Sequence, residues 1–257
     1  MLHDKRFLVT GVSSGIGEAT AALLGAAGAR VIGVDVRPPR IELESFIGAD
    51  LGRGESIDEL VRQLPEGLDG LANIAGVPPT QPVEAVLRVN LVGLKYLTRQ
   101  VVPRLADGAA IVNLASLAGV GWPDALESIR AAENLDFDEV GEFAQREGIG
   151  SPRSYFFSKE ALLAWTLQNR WTWRERGIRM NAVSPGPVDT PILGDFLQTL
   201  GERAEEDMRT LGRPGRAEDI APVVAFLLDD ASRWLWGVNI PVDGGMSAHL
   251  QATRYGL

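Results

Sequence analysis

The stretch VTGVSSGIGEA, residues 9–19, constrains the fold more than any other in the chain. An apolar run, Arg6 to Thr10, leads into it, and an Ala/Leu-rich helical pattern, Gly15 to Gly28, leads out. A strand, a glycine-rich turn and a helix in that order open a βαβ unit suited to a dinucleotide. Gly11 allows the tight turn, Gly15 lets backbone approach a pyrophosphate, and Gly17 lets helix and strand pack closely. Ser13, Ser14 and Ile16 complete a turn whose free N–H groups and positive helix end favour phosphate. Asp35 ends the next apolar run, RVIGVD, 24 residues after Gly11, where an acidic residue reaches the adenosine ribose. Its carboxylate accepts from a 2′-hydroxyl and repels a 2′-phosphate, so NAD is expected over NADP, with Arg37 softening the repulsion. The letters Gly11-Val12-Ser13-Ser14-Gly15 also fit the G-x-S-x-G elbow of a hydrolase, with Asp243 and His249 following in order. That alternative lacks an earlier βα loop to supply an oxyanion donor.

Farther along, short apolar runs alternate with longer helical patterns, as in an α/β chain with a parallel sheet. Strands are predicted at Arg30–Asp35, Phe46–Ala49, Gly70–Ala75, Ala109–Ser116, 178–184 and 238–242, and helices at 83–105, 155–176 and 217–229. The expectation is one doubly wound, Rossmann-type domain over residues 1–257 with about seven strands. A length of 257 residues fits a single large core, and no shift in composition marks a second domain. A net charge of −9 argues against nucleic-acid partners, because no basic patch is rich enough to release counterions. With no cysteine and two histidines, disulfides, thiolate metal sites and histidine-based chemistry are poorly supplied. The first residues, MLHDKRFLVTG, lack a signal-peptide core, and no apolar run is long enough for a membrane span, so a cytoplasmic protein is expected. Two long irregular segments remain, 117–154 and 185–214, of the kind that form lids or binding loops.

SYFFSKE, residues 154–160, places Tyr155 one helical turn before Lys159 in a chain with three tyrosines and three lysines. With Thr10-Gly11-x-x-x-Gly15-x-Gly17 and Tyr155-x-x-x-Lys159 together, the sequence resembles the short-chain dehydrogenase/reductase family over essentially its whole length. Asn73-Ile74-Ala75-Gly76 resembles the family's N-N-A-G strand end, with isoleucine at the second asparagine. Asn90 in RVNLVG fits its helix asparagine, and Ser116 in IVNLASLAG its active-site serine. Pro185-Gly186-Pro187-Val188 and Thr190 resemble the segment that grips the nicotinamide carboxamide, and Asp50-Leu51 the adenine contact. The resemblance implies an alcohol or carbonyl substrate. Tyr155 would take the alcohol proton, Ser116 would bind the substrate oxygen, Lys159 would favour the phenolate and bind the ribose, and Asn90 would hold a water linking Lys159 to solvent. A phenol titrating near 10 needs such help, and a compact ammonium on the same helix face provides it. A dinucleotide sensor without catalysis is the alternative of another class.

Between Ser116 and Tyr155 lie 38 residues, Leu117 to Ser154, far more than in most of the family. An insertion here resembles the branch of bacterial 3α-hydroxysteroid dehydrogenase/carbonyl reductases. VTGVSSGIG, NIAGVP, VGLKYLT, PGPVDTPIL and SRWLWGVNIPVDGG resemble bacterial coniferyl-alcohol dehydrogenases more closely, implying an aryl-allylic alcohol. The segment carries eight acidic residues against three basic, with helical spacing at Leu126 and Ile129 and at Val140 and Phe143. It is expected to border the substrate cleft and to cover the helical face through which the family forms tetramers, leaving a homodimer. Residues 187–214 are expected to form a lid, with Trp122 and the 192–211 stretch as an apolar wall, although Trp122 packed beneath the insertion reads equally well.

Overall fold

Among the described residues nine strands run: β1 (Arg6–Thr10), β2 (Arg30–Asp35), β3 (Ser45–Gly48), β4 (Leu68–Asn73), β5 (Leu105–Leu114), β6 (Arg179–Pro185), β7 (Val188–Asp189), β8 (Gly215–Arg216) and β9 (Asn239–Val242). The computed structural model describes residues 2–257; Met1, and the side chains of Leu200, Arg203 and Ala204 in the expected lid, lie outside the described residues. Seven strands pair in parallel in the order β3-β2-β1-β4-β5-β6-β9, and β7 pairs with β8. Such a sheet needs helices on both faces, so its strands are apolar on both sides. Every residue of β6 is buried. Along β1, Phe7 and Val9 join a core with Leu24, Val224 and Leu227, while Leu8 faces a second core with Leu94, Leu97 and Leu162.

The helices are α1 (Gly15–Ala26), α2 (Gly54–Arg62), α3 (Val83–Leu87), α4 (Leu94–Val101), α5 (Leu126–Ala131), α6 (Val140–Arg146), α7 (Arg153–Gln168), α8 (Leu193–Leu200), α9 (Glu202–Leu211), α10 (Ala217–Leu228) and α11 (Met246–Tyr255). Of these, α1 and α10 close the first core, and α2, α4 and α7 the second. No helix among the described residues is long and apolar enough to cross a membrane. β1 leads toward β2 and β4 toward β5, in opposite directions across the sheet, so a crevice opens at the carboxyl ends of β1 and β4.

The predicted elements are present, with three differences of substance. The helix expected over 83–105 is broken by a π-helical turn, Arg88–Gly93, that holds Asn90. The helix expected to reach 176 stops at Gln168, and two 3₁₀ turns carry the chain to Gly177. The second irregular segment contains α8 and α9, and α2 and α11 fill stretches left unassigned.

Segment 117–154 folds onto the parent helices. Ile129, Val140, Phe143 and Ile149 form a third core with Leu87, Leu91, Phe157, Ala161 and Ala164. Phe143 is 1% exposed, with its ring 5.6 Å from that of Phe157. It is therefore an interior residue and not a wall of the substrate cleft. Trp122 packs between this core and the main one, which favours the packing reading over a cleft wall. The ammonium of Lys95 donates to the carbonyls of Ala132 (3.2 Å) and Glu133 (2.8 Å), just past the end of α5. A cation suits the carbonyl end of a helix.

Candidate active site

The glycine-rich turn is a close-packed cradle. A β-carbon on Gly17 would lie 2.0 Å from the Gly11 carbonyl oxygen, so only glycine lets α1 start where it does. No side chain caps α1, leaving its first N–H groups available to an anion. Thr10 has a role that its place in the motif does not reveal. Its hydroxyl accepts from the N–H groups of Ile74 (2.9 Å) and Ala75 (3.0 Å), locking the ends of β1 and β4 together beneath Gly76. The Thr190 methyl packs against Gly15, and Pro185, Gly186 and Val188 lead into it, so this segment overhangs the turn. A groove of about 540 Å³ runs alongside, lined by Ser13, Ser14, Gly15, Thr190 and Arg216 among others.

Asp35 stands at the end of β2 and accepts from the N–H groups of Ser13 (3.1 Å), Val36 (2.7 Å) and Arg37 (3.3 Å). Asp50 turns the loop after β3 by accepting from Gly52 N–H (2.8 Å), next to the buried Leu51. Asn73 points its amide inward, donating to Thr98 and Asn113 at 2.9 Å each, and so serves the sheet with its side chain. Ser13 donates its hydroxyl to the Arg37 carbonyl (2.6 Å), Asp243 accepts from Ser247 at the start of α11, and His249 is exposed. The hydrolase triad is not assembled among the described residues.

Ser116, Tyr155, Lys159 and Asn90 come together at the carboxyl ends of β4 and β5. Tyr155 is 7% exposed, and burial pushes its phenol up to about 12, while the hydrogen-bonded Ser116 hydroxyl pulls it down. The Lys159 ammonium lies 5.6 Å from the Tyr155 ring centre and donates to the Leu114 carbonyl (2.8 Å). Burial lowers its pKa to about 8. The serine hydroxyl thus opposes the effect of burial on the phenol, and the lysine ammonium stands on the same face of α7. Gly119 sets this arrangement from behind. A β-carbon there would come 2.8 Å from the Lys159 carbonyl, so glycine lets the turn after Ser116 lie flat on α7. Asn90 accepts from Val77 N–H (2.8 Å) and donates to its carbonyl (2.9 Å). Its side chain thus braces the loop beside Gly76 and Lys159.

Aromatic rings flank the phenol. Phe156 meets Tyr155 edge-on at 6.5 Å, and Phe196 of α8 does so at 4.8 Å. Phe196 lies within the 192–211 stretch expected to form an apolar wall, and no motif in the sequence marks it out.

The chain is 44% identical to the coniferyl-alcohol dehydrogenase of Pseudomonas sp. (strain HR199 / DSM 7063), over 96% of this chain and 98% of that one. It belongs to the short-chain dehydrogenase/reductase family. The family profile described as short chain dehydrogenase matches residues 5–126, and that described as enoyl-(acyl carrier protein) reductase matches 140–247. The dehydrogenase/reductase profiles thus leave 127–139 unmatched, within the long segment after Ser116. The 3-alpha-hydroxysteroid dehydrogenase/carbonyl reductase of Comamonas testosteroni is 30% identical over 96% of this chain and 98% of its own. The crystal structure of a 3-alpha-hydroxysteroid dehydrogenase from Pseudomonas sp. B-0831 complexed with NADH superposes with a TM-score of 0.82 at 31% identity, covering 96% and 99% of the two chains.

Proposed function

We propose that this short-chain dehydrogenase/reductase interconverts an alcohol and its aldehyde or ketone with NAD, and that its substrate is an aryl-allylic alcohol of the coniferyl type. The observation that carries this reading is the buried phenol of Tyr155, with the Ser116 hydroxyl lowering its pKa and Lys159 one turn away. Gly11, Ser13, Ser14, Gly15, Ile16 and Gly17 would cradle the pyrophosphate. Asp35 would accept from the ribose, and Asp50 and Leu51 would meet the adenine. Asn73 through its backbone, with Ala75 and Gly76, would form the floor beneath the cofactor, and Pro185, Gly186, Val188 and Thr190 would hold the carboxamide. When bound, the nicotinamide accepts hydride in oxidation and returns it in reduction.

The chain's own groups manage the proton. Ser116 hydrogen-bonds the substrate oxygen, and Tyr155 takes its proton in oxidation or donates one in reduction. Lys159 favours the phenolate through its charge. Asn90 keeps the Val77 loop in place beside that ammonium.

The test is an activity screen with NAD and NADP over coniferyl alcohol, cinnamyl alcohol and a 3α-hydroxysteroid, following reduced-cofactor absorbance. Turnover of the aryl-allylic alcohols with NAD at the highest kcat/KM is the expected result. Preference for the steroid would move the assignment to the other relative, and cofactor binding without turnover would leave a sensor.

A further inference from the structure

We propose that Phe196 selects an aromatic substituent on the substrate, and that a Thr80–Asp195 hydrogen bond is the latch that positions it. This rests on the dehydrogenase reading and deepens it. Phe196 stands edge-on to the Tyr155 ring at 4.8 Å with an interplanar angle of 76°. A substrate whose oxygen meets the Tyr155 hydroxyl can thus place its substituent beside Phe196. Edge-to-face contact with that ring favours a flat aromatic group over a saturated one of equal size.

The position of Phe196 is built from the opposite side of the crevice. The Thr80 hydroxyl donates to the neighbouring Asp195 carboxylate (2.5 Å), joining the loop after β4 to α8. That loop is itself stiff. Pro78 and Pro79 have fixed φ, Val77 is held by Asn90, and the Pro79 carbonyl accepts from Ser151 just ahead of α7. The loop thus ties α8 to both the Asn90 turn and the base of the Tyr155 helix. Neither Thr80 nor Asp195 touches the phenol; they are positioning residues, and Phe196 is the contact.

The experiment compares cinnamyl alcohol with its cyclohexyl counterpart, in wild type and variants, using NAD. Phe196→Leu keeps apolar volume but removes the ring. The kcat/KM ratio of aryl to cyclohexyl substrate should fall about fivefold, mainly through KM, and the calorimetric Kd for cinnamyl alcohol should rise by a similar factor. Thr80→Val and Asp195→Ala should each lower the ratio, the double variant no further than either single, and Thr80→Ser should retain the wild-type ratio. A Phe196→Leu ratio within twofold of wild type overturns the inference while leaving the reaction intact. Additive effects of the Thr80 and Asp195 changes overturn the latch. Wild type that oxidises neither alcohol overturns the reaction reading and this inference with it.

Discussion

At Tyr155, burial and hydrogen bonding oppose each other, and the balance sets the pH behaviour. A phenol pushed up to about 12 by burial must lose its proton before it can act as a base. Oxidation should therefore accelerate about tenfold per pH unit on the acid limb. The rise should flatten near 8, where Lys159 loses the charge that favours the phenolate. Reduction, which needs the phenol, should show the opposite slope; pH profiles of kcat/KM in both directions check this. Tyr155→Phe should lower kcat by ~10²–10⁴-fold, with NADH affinity by fluorescence titration nearly unchanged. At Asp35 the informative change is to asparagine, which keeps an acceptor for the N–H groups of Val36 and Arg37 and removes only the charge. The preference for NAD over NADP should drop by about tenfold, equivalent to ~1.4 kcal/mol, in parallel kcat/KM measurements.

At the scale of elements, interior Phe143 and buried Lys95 are two of the groups that hold the segment between Ser116 and Tyr155. Phe143→Ala removes a fully buried ring packed on Phe157 and should cost ~3 kcal/mol in urea unfolding, with KM for the alcohol little changed. Burial lowers the Lys95 pKa from 10.5 to about 8. Between about 8 and 10.5 the folded protein therefore binds fewer protons at this site than the unfolded chain, so stability rises with pH through that window. The wild type should gain on Lys95→Met by about 2 kcal/mol as pH climbs from 8 to 10.5. Thermal denaturation of both proteins across the window measures the difference.

For the whole molecule, the third core has a consequence for assembly. The outward faces of α3 and α7, with Leu87, Phe157, Ala161 and Ala164, are covered by Ile129, Val140 and Phe143 of the same chain. We propose that this acidic segment, with eight carboxylates against three basic groups, repels its own copy across a two-fold axis. The contact we propose instead uses α10, where Phe226 is 43% exposed, and the sheet edge at β9. Light scattering should give about twice the 27.7 kDa of the chain, and a tetramer mass refutes the proposal.

Much of this molecule is local, and local structure is what a sequence encodes most directly. The turn at Gly11–Gly17, the parallel sheet and the pairing of Tyr155 with Lys159 follow from periodicity and from spacing along one helix. Ser116 and Asn90 were legible through motifs that resemble those of a family. What tertiary structure decided is the set of contacts made between segments distant in the chain. No spacing shows that Phe143 meets Phe157, that Gly119 lies against the Lys159 carbonyl, or that Phe196 reaches Tyr155. Nor does a pair of residues one turn apart reveal how deeply the phenol is buried. Burial is the sum of everything packed around a group, and it sets how far the phenol's pKa rises.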